Sequence, residues 1–337
     1  MKRDTIIYIP YWMRRSKTNE YTINMIRLLQ ERYVVNGDLA EPFEISKMLQ
    51  IKAVFLNWIE QDLNTKMKIQ LLLHQLLGVQ IIWVFHNKYP HDTEQDEYIL
   101  RNIQWIANHS NVIILHSKSS IKYIPNQKRN RRKAVYIPHL LYESHNDGTD
   151  LDNVRIKYKI MQDEFVFLIF GRIRPYKNIE EGIETFCKLK LPHAKLIIAG
   201  KPSDNQYADK LKMLCRDNPD IILDLQFISN IMLDNLIDIS DVVIMPYKDG
   251  SSMNSGVMIQ AFSRGKTVIV PDICMAQDMM EQRFFYMYEN SLGQVMMKAY
   301  KNGKKTNKAM GERAKEYVYR NNNWEKVKKK MYGLFGD

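Results

Sequence analysis

Although the chain has 14 glycines in 337 residues, none of them forms G-x-G-x-x-G or G-x-x-x-x-G-K-[ST]. Both motifs wrap a phosphate in backbone N–H groups. A nucleotide phosphate here must therefore be held by a helix end and side chains. Cysteine is scarce: Cys187, Cys215 and Cys274 lie far apart with no C-x-x-C spacing. That count and spacing exclude a disulfide framework and fit a reducing compartment. No apolar run approaches the roughly 20 residues that cross a bilayer. The first run, Ile6 to Ile9, is cut by Pro10 and is too short for a signal peptide. The expectation is a cytoplasmic protein with neither an export signal nor a membrane span. Histidines and carboxylates form no compact ligand set, so no metal site is expected. Repeats and low-complexity tracts are also missing.

What is present is ordinary globular composition, 45% hydrophobic and 26% charged, in a chain long enough for two cores. The formal net charge is +11. Its excess gathers in Arg14-Arg15 with Lys17, in Lys128 to Lys133, and in Lys326, Lys328, Lys329 and Lys330. Such clusters suit nucleic acid, an anionic membrane surface or anionic substrates. Without interleaved aromatics or a nucleic-acid module, nucleic acid is not the expected partner.

Short runs rich in Ile, Val and Phe alternate with amphipathic stretches. Strands are expected at Thr5 to Ile9, Lys52 to Leu56, Gln80 to Phe85, Val112 to Leu115 and Ala134 to Ile137. Helices are expected between them at Asn19 to Arg32, Leu63 to Leu77, Glu94 to Asn108 and Ser117 to Ile124. A second series of strands runs Phe165 to Phe170, Lys195 to Ala199, Ile221 to Ile228, Asp241 to Met245 and Thr267 to Val270. Strands without strict alternation are buried on both faces, as in parallel sheets covered by helices. The expected fold class is α/β, with two Rossmann-like, doubly wound parallel-sheet domains facing a cleft. Their boundaries are set at 1–145 and 164–315, joined by a linker, 146–163. The segment from Lys305 to Leu334 reads as helical, and 316–337 is expected as a C-terminal helix able to cross back to the first domain.

Ligands of open α/β sheets bind beyond the carboxyl ends of the strands. Three loops there carry suitable chemistry: Gly171-Arg172 to Lys177, Gly200-Lys201, and Tyr247 to Ser255. The last breaks at Pro246 and opens a helix near Ser255 that ends at Gly265. The N–H groups at such a helix start lack partners and sit at the positive end of its dipole, so with Arg172 and Lys177 they describe a diphosphate site. In the first half, His86-Asn87 and then Pro90-His91-Asp92 follow a strand, placing imidazoles on the rim of the other sheet. Asn19 stands at a helix start and Tyr21 follows it. His116, His139 and His145 are read as structural.

The segments Gly171-Arg172, Lys177 and Gln260-Ala261 through Gly265 to Val270 resemble the donor-binding domain of GT-B nucleotide-sugar glycosyltransferases, especially family 4 and the glycosyl transferases group 1. Asn19 and Tyr21, in a degenerate Asn-Pro-Tyr pattern, and the His86 to Asp92 run are similar to the first half of such enzymes. The resemblance implies that Arg172 and Lys177 hold the donor diphosphate with the amides of Asn254, Ser255, Gly256 and Val257. Ser252 and Gln260 stand where the family carries two glutamates eight positions apart, facing donor sugar and ribose. His86 and Asn87 are the implied catalytic residues, with Asn19, His91 and Tyr247 as further cleft residues. The implied activity is a metal-independent, cofactor-free, retaining hexosyl transfer from a nucleoside-diphosphate sugar to a glycan or lipid-linked acceptor in bacterial surface polysaccharide synthesis. An anionic membrane surface is then the expected further partner, at the inner face of the cytoplasmic membrane. A sugar-nucleotide epimerase of the same fold and a non-catalytic nucleotide-sugar-binding subunit are the alternatives.

Overall fold

The computed structural model describes residues 3–10, 19–39, 44–88, 96–145, 150–248 and 253–336. Arg14, Arg15, Lys17, His91, Asp92 and Ser252, all singled out above, lie outside the described residues. The chain divides into two units: residues 1–140, 252–254 and 322–337 form the first, and 141–251 with 255–321 form the second.

Unit 1 holds a six-stranded sheet with strands β1 (Thr5–Ile9), β2 (Val34–Asn36), β3 (Ile51–Asn57), β4 (Gln80–Val84), β5 (Val112–Leu115) and β6 (Ala134–Tyr136), in the order β2-β1-β3-β4-β5-β6. Every pairing is parallel. Parallel strands need crossovers, and helices supply most of them: α1 (Glu20–Gln30), α2 (Ile45–Met48), α3 (Thr65–Leu76), α4 (Glu97–His109) and α5 (Gln127–Asn130). Unit 2 repeats the plan with β7 (Phe165–Phe170), β8 (Ala194–Ala199), β9 (Ile221–Asp224), β10 (Val242–Ile244), β11 (Thr267–Pro271) and β12 (Tyr286–Tyr288), in the order β12-β11-β10-β7-β8-β9. These pairings are also parallel. Its helices are α6 (Leu151–Lys157), α7 (Ile179–Leu189), α8 (Asn205–Cys215), α9 (Asn230–Ile239), α10 (Gly256–Ser263), α11 (Cys274–Gln277) and α12 (Leu292–Asn321). A final helix, α13 (Trp324–Gly333), packs Val327 and Met331 into the core of unit 1 beside Leu28 and Leu29, and Tyr332 Oη donates to the Leu28 carbonyl at 2.8 Å.

β7 is buried along its whole length, from Phe165 to Phe170, with alternate residues feeding the cores on the two faces of its sheet. This is why its sequence is a continuous apolar run. At β7 both faces of this sheet are covered, which leaves its strand ends as the accessible edge.

Several expectations need correction. The run Ile221 to Ile228 is a strand only to Asp224, because Asp224 pairs with Ala199 and β8 ends there, leaving nothing further to pair with. Ser117 to Ile124 is a 3₁₀ turn, Ser119–Tyr123, closed by Ser120 Oγ donating to the Ser117 carbonyl and followed by Pro125. Lys305 to Leu334 is two helices: Asn323 caps α13 by accepting from Lys326 N at 3.0 Å, and Asn322 turns aside to donate to the His139 carbonyl at 2.8 Å. The stretch read as linker contains α6, started by Asp150 accepting from Asp152 N. β2 and β12 have no counterpart in the sequence reading; each is a three-residue strand at a sheet edge.

Candidate functional site

In unit 2 the carboxyl ends of three neighbouring strands, β10, β7 and β8, build one rim. The loops after β7 and β8 continue to pair beyond the strands. Gly171 N donates to the Ala199 carbonyl at 3.1 Å, Ile173 N to the Lys201 carbonyl at 3.0 Å and Ser203 N to the Ile173 carbonyl at 2.9 Å. This zipper requires glycine at 200, where φ is +151° and a β-carbon would lie 1.9 Å from the Gly171 carbonyl oxygen. The loop after β10 is tied in by Lys248 N donating to the Tyr176 carbonyl at 3.4 Å.

Lys177 is the centre of this rim. It ends a short 3₁₀ turn started by Pro175, is only 4% exposed, and its Nζ donates to the Phe170 carbonyl at 3.2 Å. The same Nζ stands 5.7 Å from the Tyr247 ring centre. A β-carbon at Gly171 would sit 2.9 Å from it and 3.8 Å from Val257 Cγ2. Among the described residues no carboxylate pairs with Lys177. Burial, and then Arg174 and Arg172, push its pKa down to about 7. Arg172 is exposed on the same loop, its own pKa lowered by partial burial and by Arg174. A desolvated cation repelled by two others is stabilised by an anion.

The start of α10 adjoins this cation. Ser255 is its N-cap, buried, in extended conformation, with Oγ accepting from Met258 N at 3.3 Å. Tyr247, buried and with its pKa raised by burial, is bonded to the Ser255 side chain. Gly256 and Val257 are the first helical residues, and Gln260 lies one turn on, half-buried. Sequence reasoning missed Tyr142, whose hydroxyl is 2.4 Å from where a Gly256 β-carbon would be. Tyr142 comes from a stretch with no periodic signal to mark it. The structure thus brings Arg172, Lys177, Tyr247, Ser255, Gly256 and Val257 together around Gly171. Asn254 is grouped with unit 1, where its Nδ2 donates to the His86 carbonyl at 3.1 Å.

In unit 1 the strand ends carry rings. Tyr21 is surrounded by Trp58, His86, His116 and His139, with ring centres 5.6, 5.1, 5.3 and 5.1 Å away. Trp58 lies flat on His86 at 4.0 Å, and holds a left-handed φ of +47°, unusual for a bulky residue. The hydrogen bonds fix the tautomers. His116 Nδ1–H donates to the Ile137 carbonyl at 2.8 Å, so its Nε2 accepts from Tyr21 Oη at 2.7 Å. Asn57 Nδ2 donates toward the Ile9 carbonyl, so its Oδ1, 3.0 Å from His86 Nε2, accepts the His86 proton and leaves Nδ1 as the acceptor. All three imidazoles are buried, which holds His86 well below its ordinary pKa, His116 at about 3 and His139 at about 4. At neutral pH they are uncharged.

Asn87 follows His86, half-buried. Asn19 caps α1 by accepting from Thr22 N at 3.0 Å. His116 and His139, set aside in the sequence as structural, pack against each other at 5.5 Å, and His116 lies 5.6 Å from His86. The signal that finds them is positional: β4, β5 and β6 are each followed within three residues by a histidine. His145 lies elsewhere, in unit 2, where its N donates to Asp234 Oδ2 at 2.7 Å. Among the described residues no three His, Cys, Asp or Glu side chains converge as a metal-ligand set.

Comparison with known proteins gives the arrangement a family. The sequence model described as "Glycosyl transferases group 1" matches residues 150–317. Over 104 residues the chain is 29% identical to the GDP-mannose:glycolipid 4-beta-D-mannosyltransferase of Xanthomonas campestris pv. campestris, covering 31% of this chain and 29% of that protein. The chain thus matches less than a third of the length of that curated relative. Among solved structures, Alr3699/HepE of Anabaena in complex with UDP-glucose superposes with a TM-score of 0.75 at 11% identity, covering 99% of both chains. A glycosyltransferase from Rickettsia africae ESF-5 gives 0.71 at 17% identity, covering 99% of this chain and 98% of that one. This chain has the GT-B fold and is related to the family 4-like glycosyltransferases of group 1.

Proposed function

We propose that the protein transfers a sugar from a nucleoside-diphosphate sugar to a hydroxyl of a glycan or lipid-linked acceptor, in the synthesis of a bacterial surface polysaccharide. The observation that carries the reading is the buried, carboxylate-free Lys177 at Gly171, beside Arg172 and the opening of α10. As the glycosidic bond breaks, negative charge grows on the departing diphosphate. Lys177, Arg172 and the Asn254 to Val257 amides are assigned to stabilising it, with Tyr247 as a further cleft residue. These groups supply positive charge without a bound metal or cofactor. Ser252 and Gln260 are assigned to donor sugar and ribose, Gln260 through its amide.

His86, with Asn87 beside it, is assigned to a sugar or acceptor hydroxyl, and Asn19 and His91 to its surroundings. Being neutral with Nδ1 unprotonated, His86 can accept a hydrogen bond from such a hydroxyl. A lipid-linked acceptor would bring the chain to the inner face of the cytoplasmic membrane. The Xanthomonas relative's name supports both a glycolipid acceptor and a nucleotide-mannose donor, and Alr3699/HepE was solved with UDP-glucose.

Retention at the anomeric carbon is what the family resemblance implies. A second reading, inversion, is favoured by two observations: Ser252 and Gln260 replace both glutamates, and the relative is named for a β-mannosyl product. GDP-mannose carries its sugar in the α configuration, so a β product requires inversion. The one-bond C1–H1 coupling at the first product's anomeric carbon, read by NMR, decides between them.

The test of the donor site is calorimetry and thermal shift with UDP, GDP and their sugars on the wild type, Arg172→Ala and Lys177→Ala. Selective stabilisation by one nucleotide, lost in both variants, is the expected result. Stabilisation by none of them refutes the assignment. Turnover of the sugar nucleotide without any acceptor would indicate the epimerase alternative, and binding without turnover the non-catalytic one.

A further inference from the structure

Helix α3 divides its apolar residues between a buried face and an exposed one. It buries Gln70 and His74, at 7% and 0% exposure, beside Leu71 at 1%, and turns Ile69, Leu72 and Leu76 outward at 52%, 38% and 82%. Spacings of three and four residues put these three apolar side chains on one stripe. They span about 10 Å of helix at 1.5 Å per residue. An isolated exposed leucine needs no explanation, but a contiguous apolar stripe on a helix that buries Gln70 and His74 does.

The ground around the stripe is basic. At the carboxyl end of α3, Gln75 Nε2 donates to the His109 carbonyl at 2.9 Å and to Asn111 Oδ1 at 3.0 Å, fixing it to the end of α4. That end of α4 is joined in turn to the segment 126–133. Asn130 Nδ2 donates to Asn108 Oδ1 at 3.0 Å, and Lys133 Nζ donates to the Ala107 and Asn108 carbonyls at 3.2 and 2.9 Å. Lys133 is therefore engaged in closing α4. The cations beside it, Lys128, Arg129, Arg131 and Arg132, are all exposed, and no carboxylate among the described residues pairs with them. Between residues 97 and 133 the chain has eight Lys and Arg and one carboxylate, Glu97. Farther back on the same α4-facing side of α3, Lys68 lies 5.7 Å over the half-buried Trp105 ring.

We propose that this end of unit 1, the outer stripe of α3 with the basic turn 128–132, is a seat for an anionic lipid bilayer. Ile69, Leu72 and Leu76 would enter the boundary between headgroups and acyl chains, and Lys128, Arg129, Arg131 and Arg132 would lie over the anionic headgroups. Apolar insertion and headgroup attraction are the two signals that reversible attachment needs together. Charge selects the occupant. A protein partner or second copy buried against Leu76 would have to bring carboxylates for four neighbouring cations, whereas an anionic bilayer supplies negative charge everywhere. The seat uses the amino end of the sheet, where α3 and α4 finish, and leaves the carboxyl end with His86 and Tyr21 open to an acceptor. The inference deepens the lipid-linked part of the functional reading and rests on it only for the purpose of the attachment.

The test is sedimentation of the full chain with vesicles of phosphatidylcholine alone or mixed equally with phosphatidylglycerol, for the wild type, Ile69→Ser/Leu76→Ser and Arg129→Gln/Arg132→Gln. The wild type should bind the mixed vesicles at least about ten-fold better than the neutral ones. The apolar pair should lose about ten-fold or more on the mixed vesicles. The charge pair should lose a comparable factor and flatten the fall of binding with salt. Nucleotide stabilisation, measured on each variant, should be unchanged and separates failure of the seat from failure of the donor site. Three results overturn the proposal: no wild-type binding to the mixed vesicles, binding that either pair leaves intact, or a dimer that Ile69→Ser/Leu76→Ser dissociates while vesicle binding is absent.

Discussion

If Lys177 meets the donor diphosphate as an ammonium, binding a sugar nucleotide must consume a proton above neutrality. In the unliganded protein, burial and the two neighbouring arginines hold its pKa at about 7. A diphosphate at Nζ favours the charged form and returns the pKa toward the ordinary lysine range. The diphosphate diester of a sugar nucleotide is ionised throughout the neutral range, so the ligand itself does not titrate there. Each pH unit above 7 then costs about 1.4 kcal/mol of binding, which makes Kd rise about fifty-fold between pH 7 and 9. Calorimetry at pH 8 in two buffers of different ionisation enthalpy reads the proton directly, and the expected uptake is about 0.9 per nucleotide bound. Lys177→Arg is the control. Its guanidinium stays charged, so its weaker binding, crowded against Gly171, should be flat with pH. A Kd that stays constant from pH 7 to 9 with no proton uptake refutes the placement of the diphosphate at this side chain.

The same buried cation weakens the empty fold. Its folded pKa lies below the unfolded one, so the penalty is complete below pH 7 and is relieved as pH rises toward 10.5; Lys177→Met should raise the thermal midpoint at pH 7 by the equivalent of about 4 kcal/mol at most while abolishing nucleotide binding, and a lowered midpoint refutes this. The buried imidazoles act in the opposite pH range. Their folded pKa values are depressed below 6.5, so the unfolded chain takes up protons first, and stability measured by urea titration should fall between pH 6.5 and 4 by about 1.4 kcal/mol per unit for each of His116 and His139. Equal stability at pH 7 and 5 would contradict this. Gly200→Ala should destabilise unit 2 by about 2–4 kcal/mol, since the new carbon meets the Gly171 carbonyl and the φ of +151° suits no side chain; a change below 1 kcal/mol would show that the zipper between the two loops can part cheaply.

How far the sequence could be read depended on whether a feature left a local pattern. β7 was legible because a strand buried on both faces is a continuous apolar run, and its loop because Gly171, Arg172 and Lys177 are contiguous in sequence. β2 and β12 were not, because three residues at a sheet edge are too short for any period and their pairing is decided by the neighbouring strand. The end of β9 was misplaced for the same reason: Leu225 and Phe227 continue the apolar run, but β8 stops at Ala199. At the rim of unit 2 the sequence supplied the cations and not Tyr142, which reaches the start of α10 from more than a hundred residues upstream. In unit 1 it singled out His86 while passing over His116 and His139, since nothing local distinguishes a histidine held in a ring cluster from one that merely fills a core.

The two strand-end clusters differ in what they can hold, and this separates their roles experimentally. The rim around Lys177 has unbalanced positive charge and suits a diphosphate. The rings around Tyr21 have none: His86, His116 and His139 are uncharged at neutral pH and offer a lone pair at His86 Nδ1 together with flat apolar faces such as Trp58. Neutral acceptors and ring faces suit the hydroxyls and C–H faces of a sugar and give a diphosphate almost nothing. His86→Ala should therefore leave UDP or GDP stabilisation within about 0.5 kcal/mol of wild type while lowering transfer to acceptor by about a hundred-fold or more. Asn57→Leu, which removes the acceptor that fixes the His86 tautomer, should follow it with a smaller loss. The opposite pattern, in which His86→Ala abolishes nucleotide stabilisation as completely as Lys177→Ala, would mean that the imidazole belongs to the diphosphate site and that the division between the two clusters is wrong.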